Sequence, residues 1–206
     1  MFAGCDAMTQ GLGRLSLMAI VVGLAIAAVV FWLERPVRSV PVSQPAIGGE
    51  FHLIDQNGAA ADANILRGKW TAVYFGYSFC PDACPMTLSA LAQTQTTLAA
   101  TARRLNVVFI TVDPARDTPA QLKTYLASPS FPKGATGLTG TPAQIAQVAK
   151  AYHVWFKPSD RSANYSVDHT SVVYLMGPDG AFRVPLGFGL PPGELVQQIR
   201  QAMDRG

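Results

Sequence analysis

The sequence predicts a layered α/β domain that follows a single N-terminal transmembrane helix. Three observations lead to this prediction: a long apolar run near the start, strands that alternate with helices after it, and two cysteines placed directly after the first buried strand. The 206 residues suit one domain and a membrane segment. Charged residues make up 14% of the chain against the roughly 25% usual in soluble proteins. Disorder is therefore excluded, and we expect part of the chain to contact lipid.

Residues 15–33 carry no charge and would span about 28 Å as a helix, which matches the apolar thickness of a bilayer. The run ends in Phe31, Trp32 and Leu33 rather than in small residues, which favours an anchor over a cleaved signal peptide. Positive charges on its two sides nearly balance, so charge alone leaves the orientation open. Residues 1–14 lack the Arg- and Ser-rich, acid-poor character of a mitochondrial import sequence, which favours the inner membrane of a bacterium.

Residues 34–49 contain three prolines and end in two glycines, so they are predicted to form an extended tether. Residues 50–206 then form the folded domain. β-Branched and aromatic runs predict strands, and apolar periodicity with capping residues predicts helices. In chain order these are a strand at 51–54, a strand at 71–77, a helix from near Pro85, a strand at 107–112, helices capped by Thr118 and Thr141, strands at 171–176 and 181–186, and a helix at 194–203.

This order of strands and helices is that of a thioredoxin-like fold, a partly parallel sheet with an antiparallel hairpin at one edge. Ligands in such sheets gather beyond the carboxyl ends of the strands, and the cysteine pair follows the strand that ends near Tyr77. The net charge of +3 is spread without a basic block, so nucleic acid is not an expected partner.

Cys80 and Cys84 lie between that strand and the next helix, where the positive end of the helix dipole favours a thiolate. If the residues between them form a helical turn, the two thiols are close enough to form a disulfide or to bind one metal ion. Their spacing leaves both chemistries open.

His169 adds a third candidate ligand. It directly precedes the strand at 171–176, which in a thioredoxin-like domain lies beside the cysteine loop. Oxidoreductases of this fold usually carry a cis-proline there, but no proline occurs between Ser159 and Met176. Two thiolates and one imidazole suit Cu(I) or Zn²⁺, and the residue types do not choose between these ions.

Three acidic residues near these segments are weaker candidates. Asp113 and Asp117 flank a short segment at the end of a strand and are interpreted first as a turn before the cap at Thr118. They could also influence the electrostatics of the site or help to bind a partner. Asp168 adjoins His169 and could orient its ring, although adjacent strand residues point to opposite faces.

Three segments of the chain resemble the Sco/SenC family of membrane-anchored copper chaperones. They are GYSFCPDACP at 76–85, TVDPARDTP at 111–119 and YSVDHTSVVYLM at 165–176. The resemblance implies a thioredoxin-like domain outside the inner membrane, in the periplasm of a bacterium, with residues 1–14 in the cytoplasm. It also implies that Cys80, Cys84 and His169 bind a copper ion, mainly Cu(I) with Cu(II) as the alternative.

The family resemblance predicts a metallochaperone rather than an enzyme with turnover. The implied partner is the subunit of cytochrome c oxidase that holds the dinuclear copper site, with other copper carriers or thioredoxin-like reductants as further partners. The alternative function is a thiol-disulfide oxidoreductase that reduces the cysteines of the acceptor site through the Cys80–Cys84 pair. A peroxidase on a related fold is a third hypothesis, against which the short spacing of the cysteines and His169 both argue.

Overall fold

The computed structural model describes a defined part of the chain. This part comprises residues 23–24, 29, 31–32, 46–100, 104–160, 162 and 165–205. The predicted cytoplasmic segment 1–14, most of the predicted anchor and most of the tether lie outside it. Within the described residues, no helix combines the length and the apolar character needed to cross a bilayer. The chain divides into two compact units, Met1–Gln44 and Pro45–Gly206, and the described residues of the first unit are helical.

The described residues of the second unit form nine strands, four α-helices and a 3₁₀ turn at Ala63–Leu66. The strands are β1 His52–Asp55, β2 Ala60–Asp62, β3 Trp70–Gly76, β4 Leu105–Thr111, β5 Thr136–Thr139, β6 Phe156–Pro158, β7 Val167–His169, β8 Val173–Met176 and β9 Phe182–Leu186. The helices are α1 Ala83–Ala99, α2 Pro119–Leu126, α3 Pro142–Ala151 and α4 Pro192–Arg205.

Seven strands form the main sheet in the order β2-β1-β5-β4-β3-β8-β9. The central strands β3, β4 and β5 pair in parallel, whereas β8 pairs antiparallel with β3 and forms a hairpin with β9. This arrangement confirms the predicted α/β class and the antiparallel hairpin at one edge. Both β3 and β4 are almost completely buried, as expected for parallel strands covered on both faces. Their parallel pairing brings the carboxyl ends of both strands to the same edge of the sheet.

Short strands account for most differences from the prediction. Strands β2, β5, β6 and β7 have three or four residues each and were not predicted. Strands β6 and β7 form a separate two-stranded sheet. The prediction that His169 lies at the entrance of the strand at 171–176 is therefore wrong: His169 ends β7, and β8 begins at Val173. Helix α1 also begins two residues before Pro85, so Cys84 lies inside its first turn.

The two predicted threonine caps are confirmed. The Thr118 side chain accepts a hydrogen bond from the Gln121 backbone N–H at 3.2 Å. Thr141 and Gln144 form a complete capping box, in which the Gln144 side chain accepts from the Thr141 backbone N–H at 2.8 Å. Gln121 differs from Gln144 because its side-chain amide donates to Ser78 Oγ, which begins the cysteine loop. Helix α2 therefore contacts the candidate site as well as the sheet.

Helix α3 ends in a Schellman motif that contains an unusual residue. The N–H of His153 donates to the carbonyl of Lys150, and the N–H of Val154 donates to the carbonyl of Ala149. This motif requires a left-handed residue, and His153 has a φ of 57°, the only positive φ outside glycine among the described residues. A side chain with a Cβ is strained in this conformation.

Replacing His153 with glycine should therefore stabilise the domain. Glycine adopts a positive φ without a Cβ contact, and the His153 side chain is exposed, so little packing is lost. We expect the free energy of unfolding to rise by about 1 kcal/mol, which corresponds to roughly 2–4 °C in melting temperature for a domain of this size. Thermal unfolding measured by circular dichroism checks the shift. A lower melting temperature would contradict the assignment of strain to this residue.

Candidate metal centre

The cysteine loop connects the end of β3 to the start of α1, and glycine allows these two elements to approach closely. A Cβ built on Gly76 would lie 2.8 Å from Cys84 Sγ and 2.9 Å from the ring of Phe109. Cys80 precedes the helix, and its sulfur accepts a hydrogen bond from the Cys84 backbone N–H at 3.4 Å. That N–H belongs to the first turn of α1 and has no acceptor within the helix. The Cys80 sulfur therefore caps the helix at its positive end.

Cys84 is fully buried and contacts two further side chains. The Tyr74 hydroxyl donates to Cys84 Sγ at 3.6 Å, and His169 Nε2 lies 3.7 Å from the same sulfur. Sulfur and nitrogen ligands bound to one ion at about 2.3 Å and 2.0 Å, with an angle of roughly 120°, are about 3.7 Å apart. The separation between Cys84 and His169 therefore fits two ligands of a single ion.

The orientation of the His169 ring leaves this nitrogen available. His169 Nδ1 lies 3.1 Å from the backbone carbonyl of Thr170, and a carbonyl only accepts, so in the neutral ring Nδ1 carries the proton and Nε2 has a free lone pair. Asp168 was predicted as the residue that could orient the ring. The structure gives that position to the Thr170 carbonyl, while the Asp168 side chain is exposed at the neighbouring position of β7.

The two cysteines differ in exposure and in acidity. Cys80 is partly exposed, whereas Cys84 is buried, and both are free thiols. Hydrogen bonding from the Cys84 side chain is the main cause that lowers the pKa of Cys80, and the backbone N–H groups of Cys84 and Asp82 lower it further. The pKa of Cys84 is raised, first by its hydrogen bond to Cys80 and then by burial. The pair thus holds one thiolate, located at the accessible sulfur.

The donors Cys80, Cys84 and His169 lie together at one end of the sheet but are not gathered around a common point. Among the described residues, no group of three His, Cys, Asp or Glu side chains is placed as a ready metal cluster. Cys84 Sγ and His169 Nε2 already have a suitable separation, and the Cys80 side chain interacts with that of Cys84.

Asp117 anchors the start of the cysteine loop, a role that the sequence did not predict. Its carboxylate accepts hydrogen bonds from the backbone N–H of Ser78 at 3.0 Å, from the Ser78 hydroxyl and from the Thr111 hydroxyl. The Asp117 side chain is completely buried. The predicted alternative that it binds a partner protein is therefore wrong, because a buried carboxylate cannot reach the surface of another molecule.

Asp113 makes a second buried connection. Its carboxylate pairs with Arg116 Nε and accepts a hydrogen bond from the Tyr165 hydroxyl, and its side chain is only 4% exposed. Tyr165 lies four residues before His169, so Asp113 joins the end of β4 to the segment that leads to the histidine. The expectation of a turn is confirmed, since Asp117 N–H donates to the Asp113 carbonyl at 3.0 Å. Its burial excludes the binding of a partner here too.

The sequence predicted the three donors, with Asp113 and Asp117 as weaker candidates beside them, but not the other groups that position the donors. Tyr74 lies within a predicted strand, where its hydroxyl gave no functional signal. Ser78 belongs to the same motif as the cysteines and Asp117 to the next motif, so a search for polar residues that flank the donors could have suggested the pair. The carbonyl of Thr170 is a backbone group and has no sequence signal.

Comparisons with known proteins find one family and several relatives that match most of the chain. The SCO1/SenC family model matches residues 40–204. The human mitochondrial protein SCO2 homolog is 36% identical over 185 residues, which cover 87% of this chain and 69% of the human protein. Copper-bound ScoI of Arabidopsis thaliana is 36% identical with a TM-score of 0.74, covering 78% of this chain and 100% of that one. For copper-bound ScoI of Bradyrhizobium japonicum the identity is 41% and the TM-score 0.68, covering 76% of this chain and 99% of that one.

These matches confirm the resemblance inferred from the three sequence motifs, and the two solved structures confirm the thioredoxin-type α/β fold. The matched range includes the cysteine loop, the segment with Asp113 and Asp117, and the strand that ends in His169. The chain belongs to the SCO1/SenC family.

Proposed function

We propose that this chain is a membrane-anchored copper chaperone that binds one copper ion through Cys80, Cys84 and His169. The acceptor would be the dinuclear copper site of cytochrome c oxidase. The observation that carries the proposal is the 3.7 Å separation between Cys84 Sγ and His169 Nε2, in a ring whose other nitrogen is held by a backbone carbonyl. Thiolates and imidazole are ligands for Cu(I), which prefers soft donors.

Two further observations support copper over zinc as the ion. The solved structures of ScoI from Arabidopsis thaliana and Bradyrhizobium japonicum contain copper, and both are similar to this chain over most of their length. Structural zinc sites usually have four protein ligands, whereas three donors leave a position at which an acceptor can bind. We infer that copper is a cargo that arrives and leaves rather than a permanent part of the fold.

The exposure of the two sulfurs suggests the direction of transfer. A ligand of the acceptor can approach the ion from the side of Cys80 and His169, which are both partly exposed, while the buried Cys84 holds the ion from inside. Exchange would then begin at one of these two ligands, and Cys84 would release the ion last. The lowered pKa of Cys80 keeps this sulfur deprotonated near neutral pH, so the first contact with copper needs no prior proton loss.

A second candidate function is the reduction of the acceptor's cysteines before the metal is inserted. Both thiols of the pair are free, and the accessible one has a lowered pKa, which are the properties of an attacking thiol in disulfide exchange. A thioredoxin-like reductant would then restore the pair. This function uses Cys80 and Cys84 but gives the His169 ring no role as a ligand.

The copper content of the purified chain tests the proposed function. We expect the full chain, purified in detergent under anaerobic conditions, to bind close to one Cu(I) and the Cys80→Ser, Cys84→Ser double variant to bind almost none. Cys5→Ser is the matched control, since it removes the remaining cysteine of the chain outside the proposed site. Retained stoichiometric copper in the double variant would overturn the ligand assignment.

We further propose that residues 1–14 are cytoplasmic, that residues 15–33 cross the inner membrane and that the domain faces the periplasm. The apolar run and the family resemblance support this topology. Protease added to spheroplasts should digest the domain while a cytoplasmic marker stays intact. A domain that is protected until the cells are lysed would reverse the orientation.

A further inference from the structure

We propose that Arg116 is a positioning residue that holds the hairpin of His169, formed by β6 and β7, against the cysteine loop. The inference rests on the proposed copper site, because it concerns the approach of the His169 ring to Cys84. It assigns a role to a side chain that is neither a ligand nor a capping residue.

The Arg116 guanidinium lies between aromatic rings from both parts of the site. Its Cζ is 3.6 Å from the ring centroid of Tyr165 and 4.9 Å from that of Phe79. Phe79 directly precedes Cys80, and Tyr165 lies four residues before His169. A planar cation attracts the faces of both rings, so one side chain connects the two segments that carry the donors.

Asp113 fixes this cation to the sheet. Arg116 Nε pairs with one oxygen of the Asp113 carboxylate, and the Tyr165 hydroxyl donates to the other. The backbone N–H of Asp113 donates to the Thr111 hydroxyl at 2.9 Å, at the end of β4. We call Phe79, Asp113, Arg116 and Tyr165 the Arg116 cluster. It is attached to the buried strand β4 and contacts both the cysteine loop and the segment before β7.

The hairpin of His169 needs such an attachment because, among the described residues, its two strands have no hydrogen-bonded partner strand in the main sheet. Strands β6 and β7 pair with each other in a separate two-stranded sheet. Besides the Arg116 cluster, two tyrosine rings pack edge to face against the His169 ring: Tyr77 at 6.0 Å and Tyr74 of β3 at 6.4 Å between centroids. The Arg116 guanidinium is also 5.8 Å from the centroid of the Tyr77 ring. Loss of the guanidinium should therefore loosen both the Arg116 cluster and the packing of the Tyr77 ring against His169.

The proposal predicts a defect in copper affinity that depends on His169. We expect Arg116→Gln to weaken Cu(I) binding by about 10- to 100-fold, the range found for residues that only orient metal ligands. Arg116→Lys should show a similar loss, because an ammonium keeps the charge but lacks the planar face and the Nε donor. Arg183→Gln is the matched control: Arg183 also pairs with an aspartate, Asp179, but in the turn between β8 and β9.

The deciding experiment is a double-variant cycle on the full chain in detergent, with Cu(I) affinity measured by competition with a chromogenic chelator. In the His169→Ala background, Arg116→Gln should cause no further loss, since there is no ring left to position. An equal loss with and without His169 would overturn the positioning role, because it would mean that Arg116 acts on the thiols or on the fold as a whole. A reduction potential of the cysteine pair that is unchanged by Arg116→Gln would support it, and a shifted potential would count against it.

A measurement without copper separates this inference from the proposed function. In the metal-free protein, the nuclear Overhauser effect between the rings of Tyr77 and His169 should be present, should weaken in Arg116→Gln and should persist in Arg183→Gln. If the unmodified chain binds no copper, the proposed function is wrong, and this effect still decides whether Arg116 positions the ring. If Arg116→Gln does not fold, Phe79→Leu replaces it, because Phe79 is 51% exposed and can be changed without altering the core. An unchanged ring contact together with unchanged copper affinity would overturn the inference.

Discussion

Replacing His169 with alanine is expected to lower the Cu(I) affinity by more than about 100-fold, since even residues that only hydrogen-bond to metal ligands contribute about 10- to 100-fold. The substitution removes Nε2, which lies 3.7 Å from Cys84 Sγ, and leaves two sulfurs to hold the ion. The fold should survive, because His169 ends a three-residue strand outside the main sheet. Competition with a chromogenic Cu(I) chelator under anaerobic conditions measures the affinity.

The same variant separates the chaperone from the reductase. Thiol exchange requires Cys80 and Cys84 but no imidazole ligand, so a reductase should keep its activity in His169→Ala. A chaperone should lose its ability to deliver copper. Oxidase activity in cells that carry only this variant should then fall toward that of a deletion strain. His52→Ala is the matched control, since His52 is an exposed histidine on β1. Normal oxidase activity in His169→Ala, together with its loss in Cys84→Ser, would establish thiol exchange as the function.

The parts of the fold that could be predicted from the sequence are those with a continuous local signal. Strands β3 and β4 are apolar and β-branched over seven residues each, because both faces are covered, and their positions were predicted to within one or two residues. Strands β6 and β7 have three residues each, and β6 ends in a proline. Three residues are too few for an alternating pattern, and their pairing depends on contacts between distant parts of the chain.

The candidate site also has residues that could be predicted from the sequence and contacts that could not. Cys80, Cys84 and His169 could be identified because these residue types carry metal and redox chemistry wherever they occur. The contacts that set their geometry could not, even for Asp117, which was named as a weaker candidate. Asp117 looked like part of a turn before a helix, and only the folded chain brings its carboxylate to Ser78, 39 positions earlier in the sequence. Such long-range contacts follow from the sheet order, which has no signature in any single segment.

Replacing Asp117 with alanine should give the largest loss of stability near the site. The substitution removes the acceptor of the hydroxyl of Thr111, which is buried, and of the backbone N–H and hydroxyl of Ser78, which is half-buried. Buried donors without partners cost about 1–3 kcal/mol each, and some of them will find water or a new acceptor. We therefore expect a loss of about 3 kcal/mol in the free energy of unfolding, or roughly 10 °C in melting temperature, measured by thermal and urea unfolding.

The more conservative Asp117→Asn variant gives a test by pH. Burial is the largest cause that raises the pKa of Asp117 above its ordinary value, and the hydrogen bonds from Ser78 and Thr111 oppose it. The native state therefore holds this proton more tightly than the unfolded state. The stability gained from this tighter proton binding is complete below the ordinary aspartate pKa of about 4. It is lost as the pH rises through the raised pKa of Asp117 in the native state. The unmodified chain should thus lose stability relative to Asp117→Asn as the pH rises from about 4.

Asp179→Asn provides a control with the opposite sign. Asp179 lies in the turn between β8 and β9, and the hydrogen bond from Arg183 is the main cause that lowers its pKa. The contribution of Asp179 is therefore present above its ordinary pKa and is lost as the pH falls through the lowered native value. Urea unfolding of the three proteins at a series of pH values compares the two trends. A gain in the stability of the unmodified chain relative to Asp117→Asn with rising pH would show that its hydrogen bonds outweigh its burial, and that the cysteine loop is anchored by a carboxylate with a lowered pKa.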